Sequence, residues 1–186
     1  MSVSSSGSSP IPPHLIEVKV AGLHQLFNSM DPSPFHERDL DHDAEQFIVS
    51  WAQEYPRRDP LKLLVHLGRP PEDVADPQPM IAESVHHYFE YRADMTRREL
   101  RQLMKEGRVA LLIGMAFLGL CDLVAQSLPA TRDSWHEMLR EGLTIIGWVA
   151  MWRPLEIYLY RWWPVLALER VYRNLSAMEV EVKSAA

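Results

Sequence analysis

Apolar and polar positions follow two different periods in the first third of the chain. Residues 15–20, Leu-Ile-Glu-Val-Lys-Val, alternate as a half-buried strand does, and residues 61–67, Leu-Lys-Leu-Leu-Val-His-Leu, suit a more deeply buried strand. Between them the apolar residues recur at helical spacing, after a suitable N-cap at Asp41 and up to a break at Pro56. The pattern predicts a strand-helix-strand order.

The next apolar pattern is much longer. A short helix is expected over residues 22–30, where the Asp-Pro-Ser-Pro run of residues 31–34 would end it, but residues 80–128 contain no comparable breaker. Within them, residues 109–128 carry a single charge, Asp122. Twenty helical residues at about 1.5 Å each cover the ~30 Å hydrocarbon core of a bilayer. We therefore expect one long helix that runs from a soluble domain into a membrane.

A second apolar stretch begins at Leu143 and extends to about residue 163. It is a weaker pattern, because polar residues follow its first ten residues, and a re-entrant or surface-lying segment is the alternative. Aromatic residues typical of a headgroup boundary lie near its end, namely Tyr158, Tyr160, Trp162 and Trp163. We predict a transmembrane hairpin with spans at about 109–128 and 143–163, which these aromatic residues anchor.

Basic residues are distributed unevenly around the predicted spans. Those before the first span are Arg92, Arg97, Arg98, Arg101, Lys105 and Arg108. The connecting loop, residues 129–141, holds only Arg132 and Arg140, and Arg170 and Arg173 follow the second span. Because positive residues are retained on the cytoplasmic side, both termini are predicted to be cytoplasmic and the loop external.

Two strands make a marginal sheet, so a third is expected. Residues 178–182, Met-Glu-Val-Glu-Val, alternate strictly and would return to the side of the first domain; a frayed tail is the alternative. The predicted fold is α+β. It comprises a disordered lead (1–13), a small cytoplasmic α/β domain (14–107), a transmembrane hairpin (108–168) and a cytoplasmic tail (169–186) that supplies the third strand.

Composition and charge narrow the possible functions. The chain has a net charge of −6, but its first ninety residues hold 6 basic and 14 acidic residues, while the remainder holds 13 and 11. Nucleic-acid binding draws on clustered basic residues, so an acidic soluble half makes nucleic acid an unsuitable partner. The single cysteine, Cys121, excludes a disulfide within the chain.

One segment of the soluble half collects groups that could bind a metal ion. Its candidate ligands are His36, Glu37, Asp39, Asp41, His42 and Asp43. Neither a zinc spacing nor a calcium-loop glycine is present, however, and acidic residues at a helix start have a sufficient role in capping. Metal binding is the weaker interpretation, and no cofactor is predicted.

Three charges lie within the predicted hairpin: Asp122, Arg153 and Glu156. A charged side chain in a membrane is costly in free energy unless it is paired with an opposite charge or solvated by water. In an antiparallel hairpin Asp122 and Arg153 are expected within about a turn of each other. They would form either a proton or ion relay or an ion-pair lock beside the bend at Pro154. Because two helices cannot enclose a pathway, we favour the lock unless the protein oligomerises.

Signatures of common enzymes are missing from the sequence, including a phosphate loop, a nucleophile elbow and the metalloprotease motif. No catalytic residue is therefore predicted. The leading hypothesis is a non-catalytic adaptor or accessory subunit that presents its acidic domain to a protein partner at the membrane. The alternatives are a component of a small oligomeric transporter or ion pathway and, further, a metal-dependent enzyme.

Three segments carry a resemblance to a known group of proteins: residues 26–41, Trp152–Glu156 and residues 162–164. With them the chain resembles an uncharacterised family of small bacterial two-helix membrane proteins, over most of its length beyond the Ser/Gly-rich lead. The resemblance implies a place in the bacterial inner membrane. Because that family has no established activity, it implies no functional residues.

Overall fold

The computed structural model describes residues 12–28, 38–56, 59–69, 76–128 and 134–184. In chain order its elements are strand β1 (His14–Val20), a 3₁₀ turn (Leu23–Gln25), helix α1 (His42–Glu54), strand β2 (Leu61–Leu67), helix α2 (Pro77–Ser127), helix α3 (Ser134–Ala150), helix α4 (Trp152–Glu156), a π-helical segment (Ile157–Arg161), helix α5 (Trp162–Ser176) and strand β3 (Glu179–Ser184). The chain divides into two compact units. We call Met1–Asp94 together with Leu168–Ala186 the sheet unit, and Met95–Ala167 the helical unit.

The sheet has three parallel strands in the order β1-β2-β3. Leu63 in the central strand lies between Ile16 of β1 and Val180 of β3. The predicted third strand is thus confirmed, and it extends to Ser184. The predicted α+β class holds only in the coarser sense of a mixed fold, because the strands are parallel and the connections between them are helical.

Helices α1, α2 and α5 share one hydrophobic core with the inward face of the sheet. The fully buried side chains of this core include Ile16, Ile48, Leu63, Val65, Ile81, Val85, Phe89 and Leu175. Helix α1 begins where the sequence predicts, since the Asp41 carboxylate accepts a hydrogen bond from the Asp43 backbone N–H (3.0 Å). It ends at Glu54, just before Pro56.

Side chains tie the C-terminal strand to earlier parts of the chain. His86 of α2 donates a hydrogen bond to the Met178 carbonyl oxygen (2.7 Å), and the Val182 backbone N–H donates to the Gln78 side chain (3.3 Å). Asn174 of α5 donates to the Asp59 carbonyl oxygen (3.2 Å). Strands from both ends of the described chain therefore lie in one unit. The helical unit is an insertion in the connection between β2 and β3.

The region between β1 and α1 differs from the prediction. Within residues 21–28 and 38–41, which the structure describes, the one helical segment is the 3₁₀ turn at Leu23–Gln25, because the chain then forms an antiparallel bridge between Phe27 and Leu40. The Asn28 backbone N–H donates to the Asp39 carbonyl oxygen (2.9 Å) and holds this extended conformation. Residues 22–28 of the expected helix, 22–30, thus form no more than this 3₁₀ turn. Residues 29 and 30, the expected stop at 31–34 and most of the predicted lead, 1–13, lie outside the described residues.

Helix α2 confirms the prediction of one uninterrupted helix over residues 80–128, and it begins three residues earlier, at Pro77. Its 51 residues contribute to both units. Among the described residues it is the one helix that is long and apolar enough to cross a membrane.

The second apolar stretch, 143–163, is not one regular helix. Helix α3 starts at Ser134, inside the predicted loop, and ends at Ala150. There the Met151 N–H donates to the Trp148 carbonyl oxygen (3.0 Å), and Pro154 has no N–H to donate to Ala150. The short helix α4 and the π-helical segment follow, before α5 restores regular α-helix.

Candidate functional site

A buried polar cluster joins α1, α2 and α5 of the sheet unit. Glu45 of α1 is only 7% exposed, and its carboxylate accepts hydrogen bonds from Arg92 Nε of α2 (2.9 Å) and from the Tyr172 hydroxyl of α5 (3.1 Å). Arg92 also donates to the Tyr172 hydroxyl oxygen (3.0 Å), and its guanidinium lies 5.2 Å from the centre of the Tyr172 ring. Each pair in this triangle is therefore in direct contact.

A second tyrosine completes the cluster. Tyr88, one turn before Arg92 on α2, lies close enough to Glu45 for the carboxylate to affect its pKa. Burial, together with the nearby Glu45 carboxylate, raises the pKa of both Tyr88 and Tyr172 above the usual value for tyrosine. Burial acts to lower the pKa of Arg92, but contact with Tyr172 and Glu45 leaves it raised. We call these four residues, Glu45, Tyr88, Arg92 and Tyr172, the polar cluster.

The protonation states of the polar cluster limit its chemistry. Raised pKa values keep both phenols protonated near neutral pH, so they act as hydrogen-bond donors and make poor general bases or nucleophiles. A carboxylate that accepts hydrogen bonds from both Arg92 and Tyr172 is well stabilised where it lies. The cluster is thus suited to holding three helices in one arrangement.

Only an indirect signal in the amino-acid sequence points to this cluster. In the sequence, Glu45 suits the dipole at the start of the predicted helix, and Arg92 is one of the basic residues that precede the first predicted span. Nothing in the sequence singles out Tyr172. The available signal is that Glu45 lies on the same helical stripe as Ile48, Val49 and Ala52, which are buried. A charge on such a stripe needs a partner, although its spacing on α1 does not identify one.

The predicted metal ligands fall in two groups. His36 and Glu37 lie outside the described residues. Of the remainder, Asp41 caps α1, and Asp39, His42 and Asp43 lie beside it in sequence. Across the described ranges, no group of three His, Cys, Asp or Glu side chains is positioned to hold a metal ion.

In the helical unit, three glycines mark where α2 meets the returning chain. A β-carbon at Gly107 would lie 2.9 Å from Ile157 Cγ2, and one at Gly114 would lie 3.1 Å from the Ala150 carbonyl oxygen. A β-carbon at Gly147 would lie 2.9 Å from Leu118 Cδ1. Facing positions thus rise in number along α2 as they fall along the return, so the two segments are antiparallel within this unit.

This register separates the charges that we expected to meet. Asp122 accepts a hydrogen bond from Gln126 Nε2 (2.6 Å), and Arg153 pairs with Glu156 at 3.5 Å on one helix face. By extrapolation from the glycine contacts, Arg153 is level with about residue 112, which is roughly 15 Å along α2 from Asp122. The structure brings Arg153 and Glu156 together and keeps Asp122 apart from both.

Asp122 lies instead beside a surface groove of the helical unit, about 380 Å³ in volume. The groove is lined by Met115, Leu118, Gly119, Asp122, Thr144 and Trp148. Its lining is mainly apolar, with one carboxylate and one hydroxyl, and the Thr144 hydroxyl donates to the Arg140 carbonyl oxygen (3.1 Å).

The four predicted anchors lie on the π-helical segment and at the start of α5. The Trp162 indole donates to the Tyr158 carbonyl oxygen (2.8 Å), and it contacts Trp163 with ring centres 4.8 Å apart. Tyr160 and Trp163 are largely exposed. Two of the four aromatic rings are thus exposed on the helical unit, and their role as membrane anchors stays a prediction.

Exposed apolar side chains dominate the helical unit. In α2, only 17% of the eighteen-residue stretch most suited to crossing a membrane is buried. Large exposed apolar residues on this part of α2 are Val109, Leu112, Ile113, Met115, Leu120 and Leu123, and on α3 they are Trp135, Met138, Ile145, Ile146, Trp148 and Val149. This distribution is unlike that of a core helix in a soluble protein, which is mostly buried.

Comparison of the chain with protein-family models, with curated proteins and with solved structures finds no match.

Proposed function

We propose that the protein is a non-catalytic membrane adaptor. In this proposal the helical unit forms a two-helix transmembrane hairpin, and the sheet unit lies at the cytoplasmic face, where it binds a partner protein. The observation that carries the proposal is the exposure of the apolar α2 stretch, of which 17% is buried. Side chains of this kind need a lipid or protein environment, because leaving each one in water forgoes about 1.5–3 kcal/mol.

The parallel sheet supports a hairpin rather than a single span. Strand β2 precedes the helical unit and β3 follows it, yet the two strands pair directly, from Lys62 with Glu179 to Leu67 with Ser184. A chain that leaves this sheet, crosses a bilayer and returns to the same sheet must cross an even number of times. If α2 spans the membrane, a return span must therefore lie before Leu168.

The return has enough length for a second span, although α3 alone does not. Seventeen residues of α3 cover about 26 Å, whereas α3, Met151 and α4 together cover residues 134–156, or roughly 34 Å. This segment faces α2 through the contacts at Gly114 and Gly147. We therefore propose a second span over about 136–156, shifted toward the N-terminus from the 143–163 that the sequence alone favours.

The proposed orientation and location rest on charge and on the family resemblance. Basic residues flank the N-terminal side of the α2 stretch, which favours a cytoplasmic sheet unit. The resemblance to small bacterial two-helix proteins favours the inner membrane of a bacterium.

A topology experiment tests the hairpin. A reporter fused after Ala186 should be active only as a cytoplasmic reporter, and one inserted near Thr131 only as an external reporter. A matched insertion in the sheet unit, after Gly68, should behave like the C-terminal fusion. An external signal from the C-terminal fusion would exclude the hairpin, and a cytoplasmic signal at both positions would exclude insertion of α2.

The partner of an adaptor is proposed to be a protein with a basic surface. The sheet unit holds 10 basic and 18 acidic residues, a net charge of −8, while the helical unit holds 9 and 7. Complementary charge accelerates encounter and disfavours wrong partners. Crosslinking in membranes, followed by purification in detergent, should recover a partner chain whose yield falls as the salt concentration is raised.

A second candidate function is a component of an oligomeric transporter, and the groove beside Asp122 is the observation that favours it. In a ring of copies such a groove would line a shared path. Mass measurement of the detergent-solubilised protein separates the two functions. A closed homo-oligomer without other chains favours transport, whereas one copy associated with a different chain favours the adaptor.

A further inference from the structure

We propose that the helical unit binds anionic phospholipid headgroups through a collar of basic side chains at one end of its apolar stretch. The proposed collar consists of Arg101, Lys105, Arg108, Arg153 and Arg161. This inference rests on the proposed membrane insertion and adds to it a preference among lipids.

On α2 the collar residues share one exposed face. Arg101, Lys105 and Arg108 are spaced by four and three residues, so they lie one above the other along the helix. All three are exposed, whereas Leu103 and Gly107, on the opposite side of the helix, are buried. The basic side chains therefore point away from the returning chain and are free to reach surrounding headgroups.

The returning chain brings two further arginines to a similar level. Ile157 lies against Gly107, so in this antiparallel register Arg161 is about level with Leu103, between Arg101 and Lys105. Arg153 lies about one turn beyond Arg108, on the apolar side, and its side chain is 59% exposed. A side chain of that length can extend its guanidinium to the boundary while its methylenes stay in an apolar layer.

Charge is asymmetric between the two ends of the apolar stretch. Residues 101–108 and 153–161 together hold five basic and two acidic residues, whereas residues 122–141, at the other end, hold two and four. The exposed rings of Tyr160 and Trp163 lie at the basic end. Amphipathic rings beside cationic groups are typical of a headgroup layer, where the phosphates are anionic.

The net charge of the protein predicts repulsion from an anionic lipid surface, whereas the local charge of the collar predicts attraction to it. The chain as a whole is acidic, at −6, and the sheet unit at −8 is more so, which disfavours an anionic surface. Fields are screened within about 8–10 Å at physiological salt, however, so a headgroup in contact with the collar responds mainly to the collar. A preference for anionic lipid would thus have a local cause.

The test measures which lipid contacts the protein. Full-length protein is reconstituted into vesicles of phosphatidylcholine mixed with phosphatidylglycerol, with one lipid or the other carrying bromine, which quenches tryptophan fluorescence on contact. We expect phosphatidylglycerol to be enriched about fivefold for each collar residue engaged, equivalent to about 1 kcal/mol. The enrichment should decline as salt is added.

A matched pair of variants assigns the preference to the collar. R101Q/K105Q/R108Q should bring the enrichment toward one, while R140Q, at the other end of the apolar stretch, should leave it unchanged. Equal quenching by both lipids at low salt in the unmodified protein would contradict the proposed lipid preference of the collar, but not the membrane insertion of the helical unit. If the protein does not enter vesicles of any composition, the proposed membrane insertion is contradicted as well. If the triple variant does not fold, the salt series on the unmodified protein still decides the question.

Discussion

The sheet unit and the helical unit bury apolar side chains to opposite extents. Phe89 and Ile81 on the first part of α2 are completely buried, whereas Leu112 and Ile113, further along the same helix, are more than 60% exposed. Both segments belong to the same continuous helix, so the difference in burial reflects what the side chains of each segment contact. The first segment is complementary to a sheet, and the second displays the surface expected of a segment that meets lipid or another chain.

The largest expected effect comes from matched phenylalanines on α2. Phe89→Ala should destabilise the sheet unit by about 3–5 kcal/mol, because it leaves a cavity in a core that closes around this ring. Phe117→Ala, in the partly exposed stretch of the helical unit, should leave the sheet unit unaffected. Hydrogen exchange of the β2 amides in the full-length protein measures both. Equal loss of protection in the two variants would mean that the units do not differ as described.

An intermediate effect is expected from breaking the polar cluster. Glu45→Ala leaves Arg92 half-buried without its carboxylate partner, and because the Arg92 side chain is 41% exposed we expect a loss of about 1–3 kcal/mol rather than the larger loss of a fully buried pair. Adding Arg92→Met should recover part of that loss. The exposed pair Arg153–Glu156 is the control, since Glu156→Ala should change the unfolding free energy of the sheet unit by less than about 0.5 kcal/mol. Strictly additive effects of Glu45→Ala and Arg92→Met would show that the two side chains are not coupled.

The last effect is absent at neutral pH and appears only in alkaline solution. Folding raises the pKa of Tyr88 and Tyr172 above the 10.0 of an unperturbed tyrosine, so the unfolded state ionises first. The stability that these groups contribute is fully present below pH 10 and declines above it, by about 1.4 kcal/mol per pH unit for each tyrosine that titrates. Tyr88→Phe should make the decline shallower in an alkaline unfolding series, whereas Tyr91→Phe, at an exposed position, should not. Identical slopes would remove Tyr88 from the cluster.

Local pattern was a sufficient guide to most individual elements. Alternation identified β1, and a mostly apolar run identified β2. The Asp41 cap and Pro56 bounded α1, and even five residues of strict alternation identified β3. These features depend on a residue and its near neighbours, which a sequence displays directly.

Two kinds of feature were not predictable in this way. The polar cluster joins Glu45, Arg92 and Tyr172, which lie on three helices and up to 127 residues apart in the chain, so no local spacing indicates their contact. The interruption of regular α-helix at Met151 depends on how the chain accommodates Pro154. The position of Arg153 along α2 depends on the contacts at the glycines. Propensity indicates that a proline disrupts a helix but not how the following segment realigns.

The position of β3 has a consequence for biosynthesis. On the ribosome, β1, α1 and β2 are made first, and β2 then has an unpaired edge until Glu179–Ser184 emerge, after the entire helical unit. An unpaired apolar edge is a hazard for aggregation. A chain whose synthesis stops within the helical unit thus cannot close its sheet, so a complete sheet requires that the whole segment between its two halves has already been synthesised.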